Sequence, residues 1–241
     1  MDTLRIVGPK PRMIAHRGLS GIEMENTCSA FVAAGNRSYF GIETDVHVTG
    51  DGEYILIHDD ETGRVAIDDL KVESSTFETL RSLRLKDRDG VRGRKDLLLP
   101  SLEEYVKICK KYEKTSVLEL KNPMEEKHID RIIGIIEKEG WLEKTIFISF
   151  SLANMIYVRK RLPNQAAQYL IEGEPDWEKV LEALEKYHLD LDTDYTLLTK
   201  DLVERVHRLN QRVNVWTVNA LEDAARLSSY GVDYITTNII E

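Results

Sequence analysis

With 241 residues, 42 % hydrophobic and 31 % charged, the chain has the composition of an ordinary globular protein, outside the disordered and fibrous classes. Its net charge of −9 argues against a nucleic-acid or polybasic membrane surface, but not against a locally positive pocket for an anionic substrate. No apolar run approaches the ~18–20 residues of a membrane span, and the first dozen residues lack the apolar core of a signal peptide. A cytoplasmic protein with no stable membrane association is therefore expected. The two cysteines, Cys28 and Cys109, have no metal-ligand spacing and read as reduced, buried small hydrophobes.

Taken in order, Met13–His16 reads as a short strand, and Gly18 permits the turn after it. Asn26 or Thr27 can cap a helix whose apolar face is Ala30, Phe31, Ala33 and Ala34, with Gly35 expected to stop it. Gly41–Val48 is a second strand. Thr49-Gly50-Asp51-Gly52 has hairpin chemistry, so Tyr54–His58 should return alongside as its partner. From Asp60 to Leu99 the pattern loosens, with one helical fragment near Phe77–Leu83, and this stretch is read as an insertion. Ser101 and Glu104 then form a capping box.

Beyond it, strands and helices alternate. Strands are predicted at Ser116–Lys121, Thr145–Phe150, Ala166–Ile171, Leu189–Thr193, Arg212–Val218 and Tyr234–Thr237. Helices are predicted at Glu126–Glu139, Leu152–Arg161, Asp176–Tyr187, Thr199–Asn210 and Ala220–Tyr230. Eight strands separated by seven helices predict one α/β domain over residues 1–241, a TIM (β/α)8 barrel with a small insertion, residues 60–99, after the second strand. An open doubly wound sheet is the alternative, but no Gly-x-Gly-x-x-Gly turn follows the first strand.

Several strand ends carry charge where apolar residues would be ordinary. Residues i and i+2 of a strand share a face, so Glu43 projects with Asp45, and Glu119 with Lys121. In a barrel both pairs would meet at the C-terminal mouth, where three carboxylates need a proton or a cation between them. All-oxygen ligands favour one hard divalent cation, Mg²⁺ or Ca²⁺. Ion pairs with surface lysine or arginine explain Glu43 and Asp45 alone equally well; Glu119, at a second strand end, tips the balance toward metal. His16 and His58 each end a strand and precede a charged residue, which makes them candidates for acid–base work.

His47, His128, His188 and His207 read as structural, although His47 shares the face of Glu43 and Asp45 and so has access to the rim. Arg17 and Lys121 bring positive charge suited to phosphate oxygens. Trp216, expected to point inward with Asn214 and Val218, fits a core position and a pocket wall equally.

These residues carry a resemblance. His16-Arg17-Gly18, Glu25-Asn26-Thr27, Glu43-x-Asp45, Thr49-x-Asp51-Gly52, His58-Asp59, Glu119-x-Lys121 and Trp216-Thr217-Val218-Asn219 resemble, in order along nearly the whole chain, the glycerophosphodiester phosphodiesterase family. The resemblance implies a TIM barrel with an insertion after the second strand. It also implies metal-dependent cleavage of a small-molecule glycerophosphodiester to glycerol 3-phosphate and an alcohol. It places Glu43, Asp45 and Glu119 on the metal, His16 and His58 as base and acid, Arg17 and Lys121 on the phosphate, and Trp216 against the glycerol. Glu25 and Asn26 would brace Arg17 and the first loop. In the family the substrate's own 2-hydroxyl attacks phosphorus, giving a cyclic phosphate that water opens.

Two departures stand out: Asp60–Ala66 differs from the family's Arg-Thr-Thr-like segment, and Thr237-Asn238-Ile239-Ile240 lacks a proline. Other classes weighed are a lysophospholipase D-like enzyme needing an apolar rim, a non-catalytic barrel that would have lost a histidine or carboxylate, and a glycosidase, which two cations fit poorly.

Overall fold

Alternation along short apolar runs produces strands, and the helix-period stretches between them bring each strand back parallel to the last. The computed structural model describes residues 2–6, 8–90 and 94–241; positions 91–93 of the expected insertion, and 1 and 7 of the N-terminal lead, lie outside the described residues. The strands are β1 (Arg12–Ala15), β2 (Gly41–Val48), β3 (Tyr54–Leu56), β4 (Thr115–Leu120), β5 (Thr145–Ser149), β6 (Ala167–Ile171), β7 (Asp190–Asp194), β8 (Val213–Trp216) and β9 (Tyr234–Thr237). All but β3 are parallel, and β1 pairs with both β2 and β9, so eight strands close into a TIM barrel.

The helices are α1 (Cys28–Gly35), α2 (Phe77–Arg81), α3 (Leu102–Lys111), α4 (Glu126–Lys138), α5 (Leu152–Arg161), α6 (Trp177–Tyr187), α7 (Lys200–Arg208) and α8 (Leu221–Tyr230). All except α2, which belongs to the insertion, follow the expected alternation. Ser101 caps α3 with the capping box read from the sequence, and Thr27, rather than Asn26, caps α1. The main core lies between barrel and helices: Ile42 and Val46 of β2 pack there with Phe31, Leu102, Tyr105 and Ile133, each worth ~1.5–3 kcal/mol on burial. Gly35 is the last residue of α1 but is not needed for a left-handed stop. A Cβ there would lie 2.5 Å from the Tyr112 ring, so glycine allows α1 to approach the end of α3.

β3 runs antiparallel to the upper half of β2, with Val46 opposite Leu56 and Val48 opposite Tyr54. Its alternation splits two cores. Tyr54 and Leu56 face the main one, while Ile55 and Ile57 anchor a second cluster with Val65, Ala66, Val72, Leu80, Leu83, Leu85, Leu97 and Leu99. The insertion is thus a small packed unit seated on the hairpin, close to His58.

Candidate active site

Register brings the charged residues together. Asp45 is opposite Glu119 in the β2–β4 pairing, so the two carboxylate pairs read from the sequence face one another inside the barrel. One oxygen each from Glu43, Asp45 and Glu119 lie within 4.8 Å of one another, and all three residues are buried. Lys121 Nζ is 2.9 Å from Glu119 Oε1 and 3.8 Å from Asp45 Oδ1. Asn26 holds Asp45 from outside, donating to Oδ2 at 2.8 Å while accepting from Thr44 Oγ1 at 2.7 Å.

The β1–α1 loop supplies the second half of the site. Arg17 (φ 52°) and Gly18 (φ 75°) are consecutive left-handed residues that fold the chain back over the β2 end. Glycine is required at 18 twice over, since a Cβ would also lie 2.7 Å from Ala30. This turn lets the Arg17 N–H donate to Glu43 Oε2 at 2.7 Å. The Arg17 guanidinium pairs with Glu25 at 2.8 Å and lies 3.7 Å from Asp45, leaving its buried Nε without a hydrogen-bond partner among the described residues. Asn26 donates its backbone N–H to the Arg17 carbonyl, so the expected bracing by Glu25 and Asn26 is present.

Both candidate histidines are anchored through Nδ1. His16 Nδ1 lies 2.7 Å from Asn238 Oδ1, and His58 Nδ1 lies 2.7 Å from Asp59 Oδ1. An acceptor opposite Nδ1 puts the proton there and leaves Nε2 as the basic nitrogen. Burial and the neighbouring Arg17 charge push His16 down to about 4, so it is neutral at physiological pH. Burial also lowers His58, against the pull of Asp45 and Asp59 in the opposite direction.

The carboxylates divide. Burial and then Asp45 raise Glu43 well above its ordinary range, and the same two causes raise Glu119 to about 8. For Asp45, the burial penalty is outweighed by Arg17 and Lys121, which hold it below the usual range. Without a counter-ion, two of the three groups prefer protons. The donor set is therefore all oxygen, convergent and short of positive charge, which fits a hard divalent cation.

A cavity of about 400 Å³ occupies the C-terminal mouth. His16, Arg17, Glu43, His58, Glu119 and Lys121 line it, as do Ile148, Phe150, Leu170 and Trp216. Every site residue expected from the sequence is at this cavity or, for Asp45, in direct contact with a residue that lines it. Trp216 is a wall rather than a core residue, edge-on to Phe150 with ring centroids 5.8 Å apart. Two expectations fail. Val218 does not share the face of Trp216 and Asn214; it packs in the outer core, because β8 ends at Trp216 and alternation does not extend past it. His47 is not at the rim: fully buried, it lies 3.3 Å from both Glu73 Oε1 and the His58 carbonyl, tying β2 to the insertion.

A family model described as the glycerophosphoryl diester phosphodiesterase family matches residues 16–241. The chain belongs to that family. Among its relatives, the glycerophosphodiester phosphodiesterase of Caldanaerobacter subterraneus subsp. tengcongensis is 29 % identical over 95 % of this chain and 94 % of its own length. Mouse glycerophosphodiester phosphodiesterase 1 is 31 % identical, covering 99 % of this chain and 82 % of the relative. An Oleispira antarctica phosphodiesterase, solved with the product sn-glycerol-3-phosphate, superposes with a TM-score of 0.85 at 24 % identity, covering 95 % and 93 % of the two chains. The chain is accordingly an enzyme of the phosphodiesterase class.

Within this glycerophosphodiester phosphodiesterase fold, several cavity residues escaped the sequence reading. Asp192 and Thr236 line the wall deeper than Trp216, and Glu172 follows β6 at the rim. Asp190-Leu191-Asp192-Thr193-Asp194 carried the signal, since three carboxylates at a period of two repeat the logic of Glu43-x-Asp45. Arg64 also went unremarked. It grips both oxygens of Asp59 at 2.6 and 3.1 Å and both of Glu25 at 2.7 and 2.8 Å, joining the loops that carry His58 and Arg17.

Proposed function

We propose that this chain hydrolyses soluble glycerophosphodiesters to glycerol 3-phosphate and an alcohol, holding one Mg²⁺ or Ca²⁺ at Glu43, Asp45 and Glu119. The observation that supports it most is that two Nδ1-anchored imidazoles, two cationic side chains and the acidic trio border one cavity. The bound cation would supply Lewis-acid polarisation of a phosphoryl oxygen. Arg17 and Lys121 bind the non-bridging oxygens, where charge grows toward the transition state. His16, neutral and with Nε2 free, takes the proton of the substrate's 2-hydroxyl, and that oxygen attacks phosphorus. His58, oriented by Asp59 at Nδ1, gives a proton to the departing alcohol. Water then opens the cyclic phosphate with the two histidines exchanging roles. An internal nucleophile gains from effective molarity, so no covalent protein nucleophile is required. Trp216 walls the glycerol.

The test is release of glycerol 3-phosphate, measured with a coupled enzyme over several head groups, including a lysophospholipid because Phe150 is 37 % exposed at the rim. Release should stop in chelator and return with Mg²⁺ or Ca²⁺; full activity in chelator removes the metal. A diester without the neighbouring hydroxyl should react far more slowly, and equal rates would mean direct attack by water.

A further inference from the structure

Beneath the charged mouth, the barrel interior carries a polar layer that none of the chemistry above uses. Asn214 on β8 is its hub. Its amide nitrogen donates to Gln168 Oε1 on β6 and to Asp192 Oδ2 on β7, each at 3.0 Å, and its Oδ1 accepts from Thr236 Oγ1 on β9 at 3.2 Å. Both Asn214 N–H donors are thereby used, and they fix the orientation of Gln168 and Asp192. Among the described residues two atoms of this layer have no partner: Asp192 Oδ1 and Gln168 Nε2. Asp192 is 1 % exposed and Gln168 fully buried, so leaving these atoms unpaired costs ~1–3 kcal/mol each.

Placement gives the orphans a use. Asp192 and Thr236 line the cavity, while Gln168 sits in the same hydrogen-bonded layer behind them. In register Trp216 is opposite Asp194, and Asn214 opposite Asp192. Asn214 and Asp192 are therefore one pleat repeat below Trp216 and Asp194, about 6–7 Å along the strand at ~3.3 Å per residue. Asp192 and Thr236 thus share one cavity with Arg17 and Lys121, so a small polyol phosphate held by the cations can extend toward them. Ile148, Leu170 and Trp216 flank the path with apolar surface. A hydroxyl is the group that suits this floor, since it can both donate and accept where one carboxyl oxygen and one amide nitrogen lack partners. Burial holds the Asp192 carboxyl well above its ordinary range, and a neutral carboxyl also pairs readily with a hydroxyl in either direction.

We propose that Asp192, oriented by Asn214 and assisted by Gln168, forms a hydroxyl-binding floor that takes the terminal hydroxyl of the substrate's glycerol group, making this enzyme selective for polyol phosphodiesters over deoxy analogues. The proposal rests on the phosphodiesterase reading for its ligand, but binding can be measured without turnover. A site built to pair a hydroxyl rejects the analogue lacking it because its own polar atoms are then stranded.

The test compares glycerol 3-phosphate with propane-1,2-diol 1-phosphate, which lacks only the terminal hydroxyl, by calorimetry on the full chain with millimolar Mg²⁺ or Ca²⁺ present. The wild-type protein should bind the deoxy ligand at least tenfold more weakly. In Asp192→Leu that ratio should fall toward one, mainly through lost affinity for glycerol 3-phosphate. The matching pair of diesters, both keeping the 2-hydroxyl, should show the same selectivity in kcat/KM. Equal wild-type affinities, or no binding of either ligand, would overturn the proposal, and that comparison needs no variant to fold. Discriminating binding without turnover would leave the floor standing while the catalytic reading fell.

Discussion

His16 and His58 are the same residue type, each held through Nδ1, yet their anchors differ. An amide oxygen orients His16 without adding charge, and Arg17 beside it keeps the ring neutral. A carboxylate orients His58 and pulls its titration upward, although burial outweighs that pull and lowers it overall. That difference supports the proposed roles of His16 as base and His58 as acid, and the proposal is testable by leaving group. His16→Ala should lower kcat at least a hundredfold on every diester. His58→Ala should do so on alkyl leaving groups but lose much less on a nitrophenyl diester, whose leaving group needs no proton. Equal losses on both substrates would remove the acid role from His58. Thermal unfolding of both variants near the wild-type midpoint would show that the fold is intact.

At the scale of elements, Arg64 matters because it joins the insertion to the β1–α1 loop. Burial would raise Asp59, but hydrogen bonds from Arg64 and His58 bring it to about 2, and Arg64 also helps to lower Glu25. A carboxyl depressed in the folded state adds stability that is complete above its unfolded value near 4 and is lost as pH falls through the folded one. Arg64→Ala should therefore lower the unfolding midpoint most at pH 5 and above, with the gap to wild type closing below pH 4. A gap that does not change with pH would mean that the ion pairs add nothing. Gly35→Ala tests a steric contact instead: its methyl would meet the Tyr112 ring at 2.5 Å, at a cost of ~1–3 kcal/mol read from urea unfolding.

Over the whole molecule, the insertion has a cluster of its own, separate from the core between barrel and helices, and the two should open independently. Leu80 is fully buried in the insertion cluster and Leu184 in the barrel–helix core. Leu80→Ala should raise amide exchange mainly across residues 60–99 and around His58, leaving the barrel protected. Leu184→Ala should loosen the barrel itself, each change costing ~2–5 kcal/mol. Uniform exchange in Leu80→Ala would mean one cooperative unit. Charge also acts globally. The protein carries −9, and Arg17 and Lys121 face three carboxylates in the mouth. Binding of glycerol 3-phosphate should therefore vanish in chelator along with turnover, a result that calorimetry can check.

The alternation of strands and helices, the hairpin after β2, the capping box of α3 and the paired carboxylates were legible in the sequence, because each follows from local periodicity or from residues a few places apart. So was the convergence of Glu43, Asp45 and Glu119, once a barrel was inferred, since parallel strands all end at one mouth. The packing of residues 60–99 was not legible, because its core is assembled from distant fragments against Ile55 and Ile57. Nor were the inward burial of His47, the outward turn of Val218, the double grip of Arg64 or the orphaned oxygen of Asp192. Those depend on which side chain meets which across strand registers and loop ends, and only closure of the barrel sets those distances.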